Sequence, residues 1–183
     1  MNRRDKDNRR ERGSGLIVSI MIVAFMLAIG MMLLTVTGTS PKVSDSMRLQ
    51  GMAFDSAEAG FNSAWIVLND AFLNKVYSSF GSHYRTQFNG AEGLDDPLSP
   101  SYFRGLTDEQ IVDDCAAHPD PATIIFNSEP LATDPRCTFT VFLINDEAPG
   151  TIAADDNDCI LVCIGRGPRN TYKRLEIVIE VGS

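Results

Sequence analysis

The sequence predicts an α+β fold in which a long N-terminal helix, first membrane-spanning and then amphipathic, packs on a C-terminal antiparallel sheet of about four strands. Residues 16–36 form an uncharged apolar run. Apolar residues then recur at three- and four-residue steps as far as residue 75, and beyond residue 121 β-branched residues alternate with period two. These patterns divide the chain into segments 1–13, 14–37, 38–75, 76–121 and 122–183.

Charge divides the chain unevenly between its leader and the rest. The 183 residues include 16 basic and 24 acidic ones. The leader 1–13 holds six of the basic and three of the acidic residues, so 10 basic and 21 acidic residues lie beyond it. A domain this acidic would repel the phosphate backbone of a nucleic acid. Nucleic-acid binding is therefore excluded. The basic leader next to an apolar run predicts a cytoplasmic N-terminus, with the chain translocated from about Thr37 onward.

The apolar run Leu16–Val36 contains no ionisable side chain. As a helix it would be about 30 Å long, the thickness of the hydrocarbon core of a bilayer. A cleavable secretory signal usually has a shorter apolar region of about 7 to 15 residues, so the run is interpreted as a single-pass span. Pro41 lacks an amide hydrogen, which predicts a kink or a melted turn over Thr37–Pro41.

Helical periodicity resumes near Ser44 and continues to about Lys75, and it defines two faces. One face is a stripe that is expected to cover the sheet, made of Phe54, Ala57, Phe61, Ala64, Trp65, Leu68 and Phe72. The opposite strip of small residues, Ser56, Ala59, Gly60 and Ser63, either admits a helix of a neighbouring molecule or is simply solvated. Glu58, at the edge of the apolar stripe, is a further candidate assembly residue.

The segment 76–121 is rich in glycine, proline and small polar residues, and is predicted to be a long surface loop. A short helix is expected within it at Thr107–Ala116, with Thr107 as its N-cap. Four strands follow, written ATIIFN, CTFTVFLIN, CILVCIGRG and YKRLEIVIEV. Turn residues at Gly165–Asn170 connect the last two strands as a hairpin.

All four cysteines lie in the translocated part, where disulfides form and persist. In a strand, Cys159 and Cys163 would have Cα atoms about 13 Å apart, beyond the roughly 7 Å reach of a disulfide. Cys115 and Cys137 would therefore each pair with one of them, with a preference for Cys137–Cys163 and Cys115–Cys159. Zinc binding is disfavoured because only one close cysteine pair exists.

Two further groups of polar residues are candidate functional sites. Asp155, Asp156 and Asp158 offer oxygens for Ca²⁺ without EF-hand spacing, and a solvated acidic hairpin is the favoured interpretation. The two histidines, His83 and His118, occur in loop-like sequence outside any nucleophile or metal motif. We therefore expect no enzymatic activity and no cofactor.

The order of the segments resembles that of type IV pilins. Arg12-Gly13-Ser14 followed by a long apolar run resembles a prepilin peptidase site. The segment QGMAFDSAEAGFNSAW, Gln50–Trp65, resembles the corresponding part of PilX-type minor pilins. GRGPRNTYKRLEIVIEV, Gly165–Val181, is similar to the final hairpin of that group.

This resemblance implies a structural subunit that aids the assembly or initiation of a type IV pilus. It implies cleavage between Gly13 and Ser14 by a prepilin peptidase and N-methylation of Ser14. The expected location is the inner membrane and then the pilus at the cell surface, with other pilins and minor pilins as partners. Val18 occupies the fifth mature position, where major pilins carry glutamate, so a low-copy position near the tip is expected rather than the repeating shaft.

Other functions fit the same sequence. The chain could be a pseudopilin of a type II secretion system, which uses related machinery. It could also be a signal-anchored extracytoplasmic binding domain that keeps residues 1–13 and never polymerises. An anchored periplasmic enzyme is a further alternative, and it would lose activity when His83 or His118 is replaced.

Overall fold

The computed structural model describes the backbone of residues 4–145 and 158–180, with side chains described except at 4–14 and 35–41. The chain forms two compact units, Met1–Ser46 and Met47–Ser183. Helix α1 runs over Arg4–Leu73, and its backbone is helical through Pro41. The predicted melted turn at Thr37–Pro41 is therefore wrong: a proline removes a single helical hydrogen bond, and that loss did not break the helix.

The second unit contains a small helix, a two-residue hairpin and a four-stranded sheet. The hairpin pairs β1 (Gln87–Phe88) with β2 (Ala91–Glu92), and the helix is α2 (Asp108–Ala117). The sheet has strand order β3-β4-β5-β6 and is antiparallel throughout, with β3 at Ile124–Pro130, β4 at Thr138–Ile144, β5 at Asp158–Gly167 and β6 at Thr171–Glu180. This confirms the predicted α+β fold and the four predicted strands.

The sheet is regular in its centre and irregular at one edge. Strand β5 pairs with β4 and β6 without a register shift, so that Val141, Cys163 and Leu175 lie side by side. Strand β3 has two register shifts, and Ser128 within it has φ of 53°. Such bulges interrupt hydrogen bonding and are common at sheet edges.

Both faces of the sheet are buried, because β4 and β5 carry nearly continuous apolar runs. One face packs on α1 through Phe139, Val141, Leu143, Leu161 and Ile179. The other face packs on α2 and the segment before it, with Phe142, Ile144, Ile160, Val162 and Ile164 at its centre.

The segment 76–121 is therefore more than the surface loop that was predicted. Phe80, Leu94 and Phe103 from this segment are completely buried. Phe80 joins the core on the α1 side, whereas Leu94 and Phe103 cover the second apolar face of the sheet. Composition alone did not reveal these roles. The predicted helix is confirmed as α2, with a reciprocal capping box between Thr107 and Gln110.

Candidate assembly surface

The first unit contains one helical segment, Gly15–Leu34, whose length and composition would allow it to cross a membrane. Its large apolar side chains are exposed within this unit, and Val18 is 53% exposed. An apolar surface of this size in water would be unfavourable, so it requires lipid or protein around it. The predicted cleavage site, Gly13 and Ser14, lies in the helical backbone of α1, where side chains are not described.

In the second unit, α1 packs on the sheet through small residues. Ala53, Ser56, Ala57 and Ala64 are all completely buried, and the Ser56 hydroxyl donates a hydrogen bond to the Met52 carbonyl at 2.8 Å. A Cβ atom built at Gly60 would lie 3.0 Å from Cδ2 of Phe139. The large side chains at this contact therefore come from the sheet.

Two glycines of β5 complete the close approach of helix and sheet. A Cβ atom at Gly165 would overlap the backbone of Ala53 and Ala57. A Cβ atom at Gly167 would lie 3.2 Å from the backbone oxygen of Leu49. The contact thus depends on small residues from both elements, because a side chain at either glycine would meet the backbone of the helix.

This arrangement contradicts the predicted role of the small-residue strip and confirms the predicted stripe in part, since Ala57, Ala64 and Leu68 lie in the core with the sheet. Ser56 and Gly60, predicted for contact with neighbouring molecules, are buried against the sheet within the same chain, and Ala59 and Ser63 are half-buried. Phe54 and Trp65, predicted to cover the sheet, are 43% and 50% exposed. The prediction placed large apolar residues at the contact because they are the most hydrophobic. In the structure the helix lies so close to the sheet that much of the contact is made by small residues. Of the predicted stripe, only Ala57, Ala64 and Leu68 are buried, while Phe61 and Phe72 are half-buried.

In the second unit, α1 carries several large apolar side chains that are exposed, among exposed polar residues such as Asp55 and Asn62. We give the name outward face to Met47, Phe54, Trp65, Ile66 and Leu73. Glu58 is also exposed on α1. Trp65 also contacts the half-buried Phe61, with 6.4 Å between ring centroids, and exposed aromatic patches of this kind are typical of surfaces that bind another protein or a membrane.

The predicted disulfides are not formed, and the topology explains why. Cys115 packs on the α2 side of the sheet, whereas Cys159 and Cys163 belong to the core on the α1 side. The sheet therefore separates Cys115 from Cys159. Cys137 precedes β4 by one residue, and Cys163 is opposite Val141 four positions further along, so the predicted Cys137–Cys163 pair is also out of reach.

Burial makes two of the thiols, those of Cys115 and Cys163, weak acids. Loss of hydration raises the pKa of Cys115 to about 11 and that of Cys163 to about 12. The thiolate is the reactive form of cysteine, so these two side chains are unreactive while the domain is folded.

Of the calcium candidates, Asp155 and Asp156 lie outside the described residues, and Asp158 is the first residue of β5. Within 4–145 and 158–180, no three His, Cys, Asp or Glu side chains are grouped so that they could hold a metal ion.

A buried ion pair that was not predicted from the sequence joins α2 to the chain before β1. Arg85 and Asp114 are each 4% exposed, and Arg85 Nη2 lies 2.6 Å from Asp114 Oδ2. The Asn89 amide and His118 Nδ1 both lie 2.9 Å from Asp114 Oδ1. Burial alone would raise the pKa of Asp114, but the hydrogen bonds from Arg85, Asn89 and His118 outweigh it and lower that pKa. Only the helical i,i+4 spacing of Asp114 and His118 is visible in the sequence.

No protein-family model, curated protein or solved structure matches this chain.

Proposed function

We propose that this protein is a minor pilin, a structural subunit that aids assembly or initiation of a type IV pilus. In this proposal a prepilin peptidase cleaves between Gly13 and Ser14 while the protein is held in the inner membrane by its apolar helix. The new N-terminus is methylated, and the protein then enters a filament with other pilins and minor pilins.

The observation that carries the proposal is the outward face of α1. A domain that acted alone would gain stability by covering Phe54 and Trp65, each of which is about half exposed. The helix packs on its own sheet through alanine, serine, glycine and Leu68, and Phe54 and Trp65 remain available for contact with other molecules. A helix with an apolar segment long enough to span a membrane, followed by exposed large apolar side chains, suits a subunit that leaves the bilayer and is covered by neighbours.

Val18 supports a low-copy position within such a filament. A carboxylate at the fifth mature position would be costly to bury in the membrane without a partner, and it could pair with the terminal amine of a neighbour. Valine can be buried in the membrane without that energetic cost, but it has no charge to pair with the terminal amine of a neighbour. We therefore place this subunit at an initiating or tip-proximal position, apart from the repeating shaft.

The proposal is tested by separating sheared surface fibres from membranes of the native host and quantifying the protein in each. We expect a small amount in the fibre fraction and the remainder in the membrane. Val18→Glu should raise the amount in fibres. Complete retention in the membrane, for both proteins, would instead support an anchored domain that does not polymerise. A pseudopilin of a secretion system would be indicated by lost protein secretion on deletion while surface pili remain normal.

A further inference from the structure

A polar pocket of about 300 Å³ lies between the C-terminal end of α2 and the chain around β1. The side chains that matter for its chemistry are Arg85, Thr86, Gln87, His118, Asp120 and Thr123. It does not include any residue of α1, so it is separate from the outward face.

The base of the pocket is built on the buried ion pair. Arg85 is fixed by Asp114, with 2.6 Å between Nη2 and Oδ2. The Nε–H of Arg85 has no acceptor among the described residues, although the side chain is buried. Buried donors are nearly always satisfied, so an unmet one beside a cavity indicates a place where a polar molecule belongs.

His118 is oriented by the same carboxylate. Its Nδ1 lies 2.9 Å from Asp114 Oδ1, and an ionised carboxylate can only accept, so Nδ1 carries the hydrogen. In the neutral tautomer with the hydrogen on Nδ1, the lone pair is on Nε2, at the opposite edge of the ring. The side chain is 53% exposed and lines the pocket, so it offers a fixed acceptor close to the donor Arg85.

The surroundings of the pocket disfavour anions and metal cations. The positive charge of Arg85 is balanced by Asp114, which leaves Asp120 to repel anions. The carbonyl end of α2 at His118 also disfavours negative charge. A metal cation would find too few ligands, because the described residues contain no group of three His, Cys, Asp or Glu side chains that could hold one.

We propose that this pocket binds a neutral, hydroxyl-rich ligand, a single sugar ring. Each sugar hydroxyl both donates and accepts, which matches a site where an arginine donor, a histidine acceptor and threonine hydroxyls converge. The volume is at the small end of the range of ligand pockets, which suits one ring rather than an extended chain. The proposed assembly role does not depend on this binding, and the binding does not depend on assembly.

The test is saturation-transfer NMR on the full chain in detergent, with glucose, galactose, mannose, N-acetylglucosamine and N-acetylgalactosamine as probes and sodium phosphate as an anionic probe. At least one sugar should bind with a Kd on the order of 1 mM, as expected for so small a ligand. His118→Leu should weaken binding about tenfold, because it removes the fixed acceptor. Gln87→Trp, at an exposed position of the rim, should abolish binding by filling the entrance.

His83→Gln is the matched control. His83 is the other histidine, lies outside the pocket and stacks on Tyr77 with 3.7 Å between ring centroids, so binding should be unchanged. The proposal is overturned if no sugar binds at concentrations up to about 20 mM, some twentyfold above the expected Kd. It is equally overturned if phosphate binds in place of the sugars, or if sugar binding survives both His118→Leu and Gln87→Trp.

Discussion

Gly165 is the residue at which the sheet comes closest to α1. A methyl group there would overlap the backbone atoms of Ala53 and Ala57, which cannot turn aside as a side chain can. We expect Gly165→Ala to lower the free energy of unfolding by about 1–3 kcal/mol or more, as overpacked cores do. Chemical denaturation of the full chain in detergent, followed by tryptophan fluorescence of Trp65, measures this loss.

Gly51→Ala is the control for that prediction. A Cβ atom at Gly51 meets no heavy atom within 4 Å, and the residue lies inside a helix. Alanine should stabilise the helix here by about 0.5–1 kcal/mol, because glycine loses more backbone freedom on folding. Equal stability of the two variants would contradict the close packing of β5 on α1.

Asp114 is the residue on which the buried polar network depends. Asp114→Asn leaves the guanidinium of Arg85 buried without its counter-charge, so unfolding should become easier by about 3–5 kcal/mol. Asp134→Asn is the matched control, since Asp134 pairs with an arginine that is 71% exposed, and it should change stability little. Urea denaturation at pH 7 distinguishes the two variants.

The pH dependence of stability gives an independent readout of Asp114. Its pKa is lower in the folded than in the unfolded protein, so its contribution is present above its unfolded value of about 3.9 and is lost as the pH falls further. The free energy of unfolding of the wild type should therefore fall more steeply between pH 5 and pH 2 than that of Asp114→Asn. If the free energies of unfolding of the two proteins fell in parallel with pH, Asp114 would not be ionised and hydrogen-bonded in the folded state.

At the level of elements, the sheet separates the cysteines into two groups. Cys115 on α2 faces one layer, and Cys159 and Cys163 on β5 face the other. We expect intact mass spectrometry to find four alkylated thiols after denaturation without reductant, and almost no modification of Cys115 or Cys163 in the folded protein at pH 8. Recovery of only two alkylated thiols after denaturation would show that a disulfide forms and that the described packing of cysteines is wrong.

The strands and α2 could be predicted from the sequence because their signals are local. Period-two alternation located β4 within one residue at each end, and Thr107 with Gln110 marked the start of α2. The orientation of α1 could be predicted only in part: Ala57, Ala64 and Leu68 face the core as expected, and the burial of Ser56 and Gly60 was not foreseen. Both of its faces are plausible contacts by composition, and the choice depends on Gly165 and Gly167, which are more than 100 residues away and looked like turn residues.

The polar pocket was missed for a related reason. Arg85 and Asp114 are 29 residues apart in the chain, in a segment whose composition indicates a loop. The two residues meet because this segment packs on the second apolar face of the sheet. Apolar burial thus brings together polar groups that carry no recognisable spacing.

At the scale of the whole molecule, the outward face of α1 should matter for assembly and not for folding. The double substitution Phe54→Ser and Trp65→Ser should strongly reduce the protein recovered with sheared fibres while leaving its amount in the membrane and its thermal stability nearly unchanged. Both side chains are about half exposed, so their loss costs the isolated domain little. Quantitative immunoblotting of the two fractions measures the effect.

Leu98→Ser is the control for this experiment, because Leu98 is 92% exposed and lies outside α1. It removes a comparable apolar side chain from a different surface, and fibre recovery should be unaffected. If Leu98→Ser and the double variant behave alike, the outward face has no special role in assembly.

The N-terminal sequence of the mature protein, recovered from membranes and from sheared fibres of the native host, tests the proposed function most directly. Intact mass and peptide sequencing should give a methylated Ser14 as the first residue, as processing by a prepilin peptidase requires. Retention of residues 1–13 in both fractions would contradict the proposal and leave a membrane-anchored domain that does not assemble into filaments.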